Sequence, residues 1–118
     1  MAAQRDTRRY IADTECAWET VGAGVRRKVL GHDDMLMMVH VQFEKDAIGY
    51  IHSHSHRQVT YVEYGSFEVL IGEEKMVLKG GDCFFIPPAV PHGVVALERS
   101  GLVDVFTPAR EDFVTRKG

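Results

Sequence analysis

Hydrophobic and polar side chains alternate with a period of two through much of the chain. In residues 35–43 every odd position is apolar, whereas the even positions change from apolar to polar at His40 and Gln42. Because successive side chains of a β-strand point to opposite faces, this run predicts a strand with one dry face and one mixed face. Similar β-rich runs follow at residues 59–64, 67–71, 76–79, 83–86, 94–97 and 102–106.

Glycine and proline lie at most of the breaks between these runs. The breaks fall at residues 65–66, 72–75, 80–82, 87–91 and 100–101. Short strands separated at such intervals predict an all-β fold, either an antiparallel meander or a barrel. Residues 108–113 are the exception, and there we expect a single helical turn. Residues 1–13 are polar and lack a period, so we expect a flexible or partner-docking arm before a β-domain that spans residues 14–118.

Length and charge narrow the class of protein. A chain of 118 residues predicts one domain with one modest core. Its 14 basic and 17 acidic residues give a net charge of −3, which argues against a nucleic-acid-binding protein. The sequence contains no apolar run that approaches the ~20 residues needed to span a bilayer. We therefore expect a protein that binds neither nucleic acid nor membrane.

The start of the chain and its cysteines favour a cytoplasmic location. The charged residues near the start are not followed by an apolar stretch, so we identify no secretory signal. Cys16 and Cys83 are far apart and belong to no C-x-x-C motif, which favours two reduced thiols over a disulfide.

Histidines are the most informative polar residues of the chain. Three of the six, His52, His54 and His56, lie at alternate positions, and Gln58 continues the same spacing. On an extended strand these four side chains would share one face and converge. His92 follows a proline-rich turn, 38 residues beyond His54. Imidazole suits zinc, nickel, copper and iron, so the pattern predicts a metal site, with a solvated metal-scavenging loop as the alternative.

The spacing around these histidines resembles that of the cupin family. The first cupin motif, His-x-His, three residues, an acidic ligand, six residues and Gly, corresponds to residues 52–65 with Gln58 at the acidic position. The second motif, Gly, five residues, Pro-x-Gly, two residues and His, corresponds to residues 81–92 with Ala89 at its second glycine. Ala96 also stands where many cupins have Asn. The resemblance implies a double-stranded β-helix (jelly-roll barrel) and commonly a homodimer.

The same resemblance implies a ligand set and a cofactor. His52, His54, Gln58 and His92 would hold one divalent transition metal, with zinc, nickel, manganese and iron all possible. Because the amide of Gln58 is neutral where most cupins carry a carboxylate, it leaves one more unit of positive charge on the centre. We therefore expect a Lewis-acid site rather than an oxygen-activating one.

The closing third contains a carboxylate in an apolar run. Asp104 shares one face of its predicted strand with Leu102 and Phe106. A buried carboxylate is costly without a partner, so Asp104 has either a functional role or a neighbouring cation. Arg110 is the candidate, either in a structural ion pair with Asp104 or as a ligand for a substrate carboxylate.

Residues 90–98 and 102–113, together with Gln58, resemble the KdgF-type pectin-degradation cupins. That resemblance implies an enzyme that linearises 4,5-unsaturated uronates by ring opening and keto formation, with a small anionic sugar acid as its substrate. Asp104 would transfer the proton, Arg110 would anchor the substrate carboxylate, and Phe106 would form a wall beside the sugar ring. His56 falls outside the ligand set, and we expect it at the edge of the pocket.

Two other functions remain open. Another cupin metalloenzyme, a dioxygenase or a sugar isomerase, is compatible with the fold because fold alone does not choose a chemistry. A non-enzymatic sugar-binding or sensor cupin is the second alternative. His32 and His40 receive no role from the sequence.

Overall fold

The computed structural model, which describes residues 8–115, has ten β-strands within those residues, and seven of them correspond to the runs predicted from the sequence. Their bounds are β1 Glu19–Gly22, β2 Val25–His32, β3 Met37–Phe43, β4 Ile48–His52, β5 Arg57–Tyr64, β6 Ser66–Ile71, β7 Glu74–Lys79, β8 Cys83–Ile86, β9 His92–Ala96 and β10 Ser100–Thr107. A 3-10 helix at Asp13–Glu15 precedes β1, and a short helix α1 at Glu111–Thr115 follows β10.

The strands form two antiparallel sheets that enclose one core. The larger sheet has the order β1-β2-β3-β10-β5-β8, and the smaller one has the order β4-β9-β6-β7. Side chains from both sheets are fully buried between them, with Met37, Val39, Val62 and Ile86 from the larger sheet and Phe67 from the smaller. This two-sheet barrel confirms the predicted all-β fold.

Strand β3 shows the predicted alternation. Its odd positions, from Met37 to Phe43, are buried, and its even positions are half-buried or exposed. The strand begins at Met37 and not at residue 35, because the Asp33 carboxylate accepts hydrogen bonds from the backbone amides of Met35 and Leu36, at 2.8 and 3.0 Å. Those bonds hold a turn ahead of the strand.

The turn between β5 and β6 explains the glycine of the first cupin motif. Gly65 has a φ of +82°, a conformation that L side chains rarely adopt. A Cβ at this position would also collide with the Ser100 side chain and lie 2.6 Å from the Arg99 carbonyl oxygen. Glycine therefore permits the tight turn through which the chain passes from β5 in the larger sheet to β6 in the smaller sheet.

The structure describes only part of the predicted N-terminal arm, and it shows a helix near the end of the chain. Residues 1–7 of the predicted arm lie outside the described residues, and residues 8–13 lead into the 3-10 helix. Asp13 accepts a 2.7 Å hydrogen bond from the buried Lys28 ammonium. The predicted turn at residues 108–113 is shifted, because the helix begins at Glu111. No helix within residues 8–115 is long and apolar enough to cross a membrane.

Candidate metal centre

Three histidines lie close together at the end of the smaller sheet where β4 ends and β9 begins. His52 ends β4, His92 begins β9, and the two are cross-strand neighbours. His54 lies in the loop that connects β4 with β5. One ligand nitrogen from each of the three lies within 4.8 Å of the others. The ring centroids are 4.5 Å apart for His52 and His92 and 4.8 Å apart for His54 and His92.

The prediction that His52, His54, His56 and Gln58 converge because they share one face of a single strand is wrong. Residues 52–58 do not form one extended strand, since β4 ends at His52 and β5 begins at Arg57 in the other sheet. The ligand side chains therefore approach one another from two sheets and a loop. Strand alternation does not bring them together.

Backbone carbonyls orient all three imidazoles in the same way. The Nδ1 atoms of His52, His54 and His92 each donate a hydrogen bond to a carbonyl oxygen two residues away in sequence. The acceptors are Tyr50, His56 and Val90, at 3.0, 3.1 and 2.9 Å. With Nδ1 protonated, each Nε2 lone pair is available to a metal. The Nε2 atom of His92 is buried and has no hydrogen-bond partner among the described residues, as expected of a metal ligand.

Gln58 completes the donor set through its amide oxygen. Its Nε2 donates to Thr60 Oγ1 at 2.9 Å and to Asp104 Oδ1 at 3.1 Å, which turns Oε1 toward His54. That oxygen lies 3.0 Å from His54 Nε2. With the His54 proton on Nδ1, two lone pairs face each other across this distance, and a shared cation resolves the conflict. The four residues therefore fit a divalent metal with three imidazole ligands and one amide ligand.

Burial keeps the histidines in the form that binds metal. It lowers the pKa of His92 to about 4, and the pKa of His54 is lowered for the same main reason. Both rings are thus neutral at physiological pH. Neutral imidazole is the form that coordinates a metal ion, so the protein environment favours ligation.

Asp104 lies beside this centre on the inner face of β10. It pairs with Thr60 across the sheet, and its Oδ1 accepts hydrogen bonds from the Thr60 hydroxyl at 2.6 Å and from the Gln58 amide. Burial raises the pKa of Asp104 to about 6, against the lowering effects of Thr60, of the Arg110 charge and of Gln58. A carboxyl group with a pKa this close to neutrality can accept and return a proton.

A cavity of about 150 Å³ lies beside the centre. Three of the predicted ligands, His52, Gln58 and His92, line it together with Asp104. Further wall residues are Phe106, Arg110, Phe113 and Arg27. The volume is below the range that holds drug-sized molecules, so the cavity suits a small ligand such as one sugar ring.

Arg110 has a different carboxylate partner from the one considered in the sequence. Its Nε and Nη2 atoms donate to the two oxygens of Asp112, at 3.1 and 3.0 Å. Its guanidinium also lies over the rings of Phe106, at 5.2 Å, and Phe113, at 4.4 Å. The structural ion pair that we considered between Asp104 and Arg110 is therefore replaced by an Arg110–Asp112 pair, while Arg110 still lines the cavity.

Comparisons with known proteins agree with this architecture. A family model described as the cupin domain matches residues 39–106. The chain belongs to the cupin family. It is 50% identical over 109 residues to the pectin degradation protein KdgF of Dickeya dadantii (strain 3937). The alignment covers 91% of this chain and 99% of that protein. Within the family this cupin belongs with the KdgF proteins.

Two solved structures are similar over nearly their whole length. KdgF from Halomonas sp. superposes with a TM-score of 0.87 at 40% identity, covering 92% of this cupin and 100% of that chain. An RmlC-like cupin from Shewanella frigidimarina NCIMB 400 superposes with a TM-score of 0.89 at 42% identity, covering 92% and 97%. The predicted cupin fold is confirmed.

The second cupin motif is linked directly to the first in this cupin. Ala89, which replaces the usual glycine, has a φ of +68°. Its backbone amide donates a 2.7 Å hydrogen bond to the carbonyl oxygen of His54. This bond joins the loop that carries His54 to the turn before His92, so the left-handed conformation at Ala89 helps to position two ligands.

The remaining histidines are separate from the donor set. The His56 ring contacts those of His54 and Phe106, with centroids 5.3 and 6.5 Å away, and its Nδ1 is buried without a partner among the described residues. His56 is not among the described residues that line the cavity, so its expected place at the pocket edge stays a prediction. His40 pairs with Glu63 on the outer face of the larger sheet, at 2.8 Å, and His32 is exposed.

Sequence reasoning missed three residues of this region. Thr60 lies two positions after Gln58 on β5, so strand alternation alone would have placed both on one face. Phe113 and Arg27 also line the cavity, but nothing in their local sequence indicates that they meet. They come from α1 and β2, which are far apart in the chain.

Proposed function

We propose that this cupin is a metal-dependent isomerase-type enzyme that linearises 4,5-unsaturated uronates in pectin or alginate breakdown. The observation that carries the proposal is the placement of Asp104 on the cavity wall, hydrogen-bonded to Gln58, whose amide oxygen faces the histidine cluster. The similarity to KdgF, a pectin degradation protein, supports the substrate class. The positive charge of Arg110 in the same cavity supports an anionic substrate.

The donor set supports one class of cofactor. His52, His54, Gln58 and His92 would hold one divalent transition metal, with zinc, nickel, manganese and iron all compatible with these ligands. When bound, such an ion supplies Lewis-acid polarisation of a substrate oxygen. The neutral Gln58 favours that chemistry over oxygen activation, and thus an isomerase over the dioxygenase alternative.

The residues of the chain supply the proton transfers. Asp104, as its carboxylate, takes the proton of the anomeric hydroxyl while the bond between C1 and the ring oxygen breaks, which yields an aldehyde and an enolate. Asp104 then returns the proton to C4, and the enolate becomes a ketone, so atoms balance in an isomerisation. Arg110 holds the substrate carboxylate, and Phe106 packs beside the sugar ring.

Loss of ultraviolet absorbance tests this function. The conjugated double bond of the unsaturated uronate disappears on linearisation, so we expect the metal-loaded protein to accelerate the loss of its absorbance. Chelation should abolish the acceleration and restored metal should recover it, because the ligands alone lack the Lewis acid. Tight binding without turnover would contradict the proposal and favour the sensor alternative, whereas turnover that consumes dioxygen would favour the dioxygenase.

We further propose a homodimer formed through the outer face of the larger sheet. Val105 is the cross-strand neighbour of both Met38 and Val59, and Val59 pairs in turn with Phe85. These residues form one apolar row across four strands, and Phe85 is 52% exposed in the single chain. Apolar rows of this kind are typical of interfaces between copies of a chain.

Sedimentation equilibrium tests the dimer. We expect the protein to sediment at about twice its monomer mass, and we expect Phe85→Asp to give a monomer because it places a charge within the apolar row. Val77→Asp is the matched control, since Val77 is exposed on the other sheet. A monomeric wild-type protein, or a Phe85→Asp variant that stays dimeric, would contradict this interface.

We also place the protein in the cytoplasm. Cys16 and Cys83 are both free thiols, the form that a reducing compartment maintains.

A further inference from the structure

Arg27 faces the interior of the barrel although its two sequence neighbours do not. It pairs across β2 and β3 with Val41, whose side chain is buried in the core. Arg26 and Lys28 point to the opposite face, where both cations stack on Trp18, at 4.2 and 4.6 Å. Strand alternation therefore directs one cation of the Arg-Arg-Lys run inward.

Arg27 and Arg110 stack on the same aromatic ring. The Cζ atom of Arg27 lies 3.7 Å from the centroid of Phe113, and that of Arg110 lies 4.4 Å from it. Both side chains are only 13% exposed, and both line the cavity that contains Asp104. Two guanidinium groups thus stack on one ring in the wall of one small cavity.

Arg27 and Arg110 each donate hydrogen bonds to a neighbouring carboxylate, but these bonds involve only some of the N–H donors of each guanidinium group. Arg27 donates from Nε to Glu19 at 3.2 Å, and Arg110 donates from Nε and Nη2 to Asp112. A guanidinium group has five N–H donors, and these hydrogen bonds engage one of them on Arg27 and two on Arg110. The positive charge of the two arginines affects the pKa of the neighbouring Asp112. Burial raises the pKa of Asp112, but hydrogen bonding and charge from Arg110, together with the charge of Arg27, bring it below its usual value.

One of the two edges of Arg110 that can form a bidentate pair, the Nε–Nη2 edge, is already occupied by Asp112. A substrate carboxylate that approaches the cavity must use the remaining donors of Arg110 or find a second cation. Arg27 supplies that cation on the same ring. The cavity is then complementary to a group with two acceptor oxygens, as in a uronate.

We propose that Arg27 is a second carboxylate-binding residue, which together with Arg110 selects acidic over neutral sugars. This inference rests on the proposed function. In it, Phe113 holds the two guanidinium planes in place through cation–π stacking, so that neither needs to be ordered when the substrate arrives. A purely structural role, in which Arg27 only attaches α1 to the barrel through Phe113, would not depend on the charge of the substrate.

The test compares two substrates in the metal-loaded enzyme. We expect Arg27→Met to raise KM for the unsaturated uronate by about tenfold, since a charge-assisted hydrogen bond is lost. The preference for the free acid over its methyl ester, measured as a ratio of kcat/KM values, should fall by a similar factor. Arg27→Lys should recover part of the preference because it restores the charge without the planar fork.

Arg26→Met is the matched control. Arg26 precedes Arg27 on the same strand, carries the same charge and stacks on an aromatic ring, but it lies on the outer face. We expect its acid preference to equal that of the wild type. An unchanged acid preference in Arg27→Met, or an equal loss of activity with acid and ester, would overturn the role of Arg27 alone. A wild-type protein that turns over neither substrate would overturn the proposed function and this inference with it.

Discussion

Replacement of Asp104 with asparagine is expected to lower the rate of uronate linearisation by about a thousandfold. Asparagine preserves the size of the side chain and can still accept the hydrogen bond from Thr60, which now measures 2.6 Å. It cannot take up or return a proton at neutral pH, however. We therefore expect the loss to appear in kcat, with metal content and unfolding temperature close to those of the wild type.

The control for this variant is another substitution of aspartate by asparagine. Asp46 lies in an exposed turn with a φ of +71°, a conformation that asparagine tolerates well. Asp46→Asn should keep full activity. Elemental analysis of both variants separates a chemical defect from loss of metal. Full activity in Asp104→Asn would show that Asp104 does not transfer the proton.

Gln58→Glu is expected to lower kcat by about a hundredfold, although it restores the residue found in most cupins. The Nε2 atom of Gln58 donates to Asp104 at 3.1 Å. A carboxylate at this position loses the donor and places a second negative charge beside Asp104. Asp104 would then remain protonated and could not act as a base. Metal content should be preserved, because a carboxylate binds the same ions.

Gln42→Glu controls for the added charge. Gln42 lies on the outer face of β3, and its Oε1 accepts two hydrogen bonds from Arg26, at 3.0 and 2.7 Å. A carboxylate suits that position, so we expect no change in kcat. If Gln58→Glu were as active as the wild type, the amide would not be needed to keep Asp104 in its basic form.

These contacts give a physical reason for the departure of Gln58 from the common cupin motif. One end of the amide, its oxygen, faces the candidate metal site beside His54, and the other end donates to Thr60 and Asp104. A carboxylate can perform only the first task. The sequence showed that the residue was neutral, but its connection to Asp104 requires the pairing of β5 with β10.

Local patterns were enough to predict an all-β fold, and the resemblance to cupin motifs predicted the jelly-roll barrel. Alternation within residues 35–43 corresponds to β3, and the later β-rich runs correspond to β5 through β10 with small shifts at their ends. The start of β3 was harder to predict, because the Asp33 carboxylate accepts a hydrogen bond from the Met35 amide and so competes with the ladder.

The candidate metal ligands could be predicted from the spacing of the cupin motifs, but the reason for their convergence could not. A period of two placed His52, His54 and Gln58 on one face of a single strand, whereas they come from two sheets and a loop. Spacing along the chain does not reveal where a strand ends and the chain crosses to the other sheet. The spacing of the motif identifies the residues that meet after the crossing, but it does not indicate where the crossing occurs.

The sequence by itself determined the strand pattern, the single β-domain and the residues that form the candidate metal centre, because each depends on short-range periodicity or on a motif of fixed spacing. Only the tertiary structure decided that Arg27 joins Arg110 on the ring of Phe113. Those contacts unite β2 with the segment after β10, residues that are distant in sequence and close only once the barrel has closed. No local pattern contains such information, because it arises from the packing of the sheets and the terminal helix.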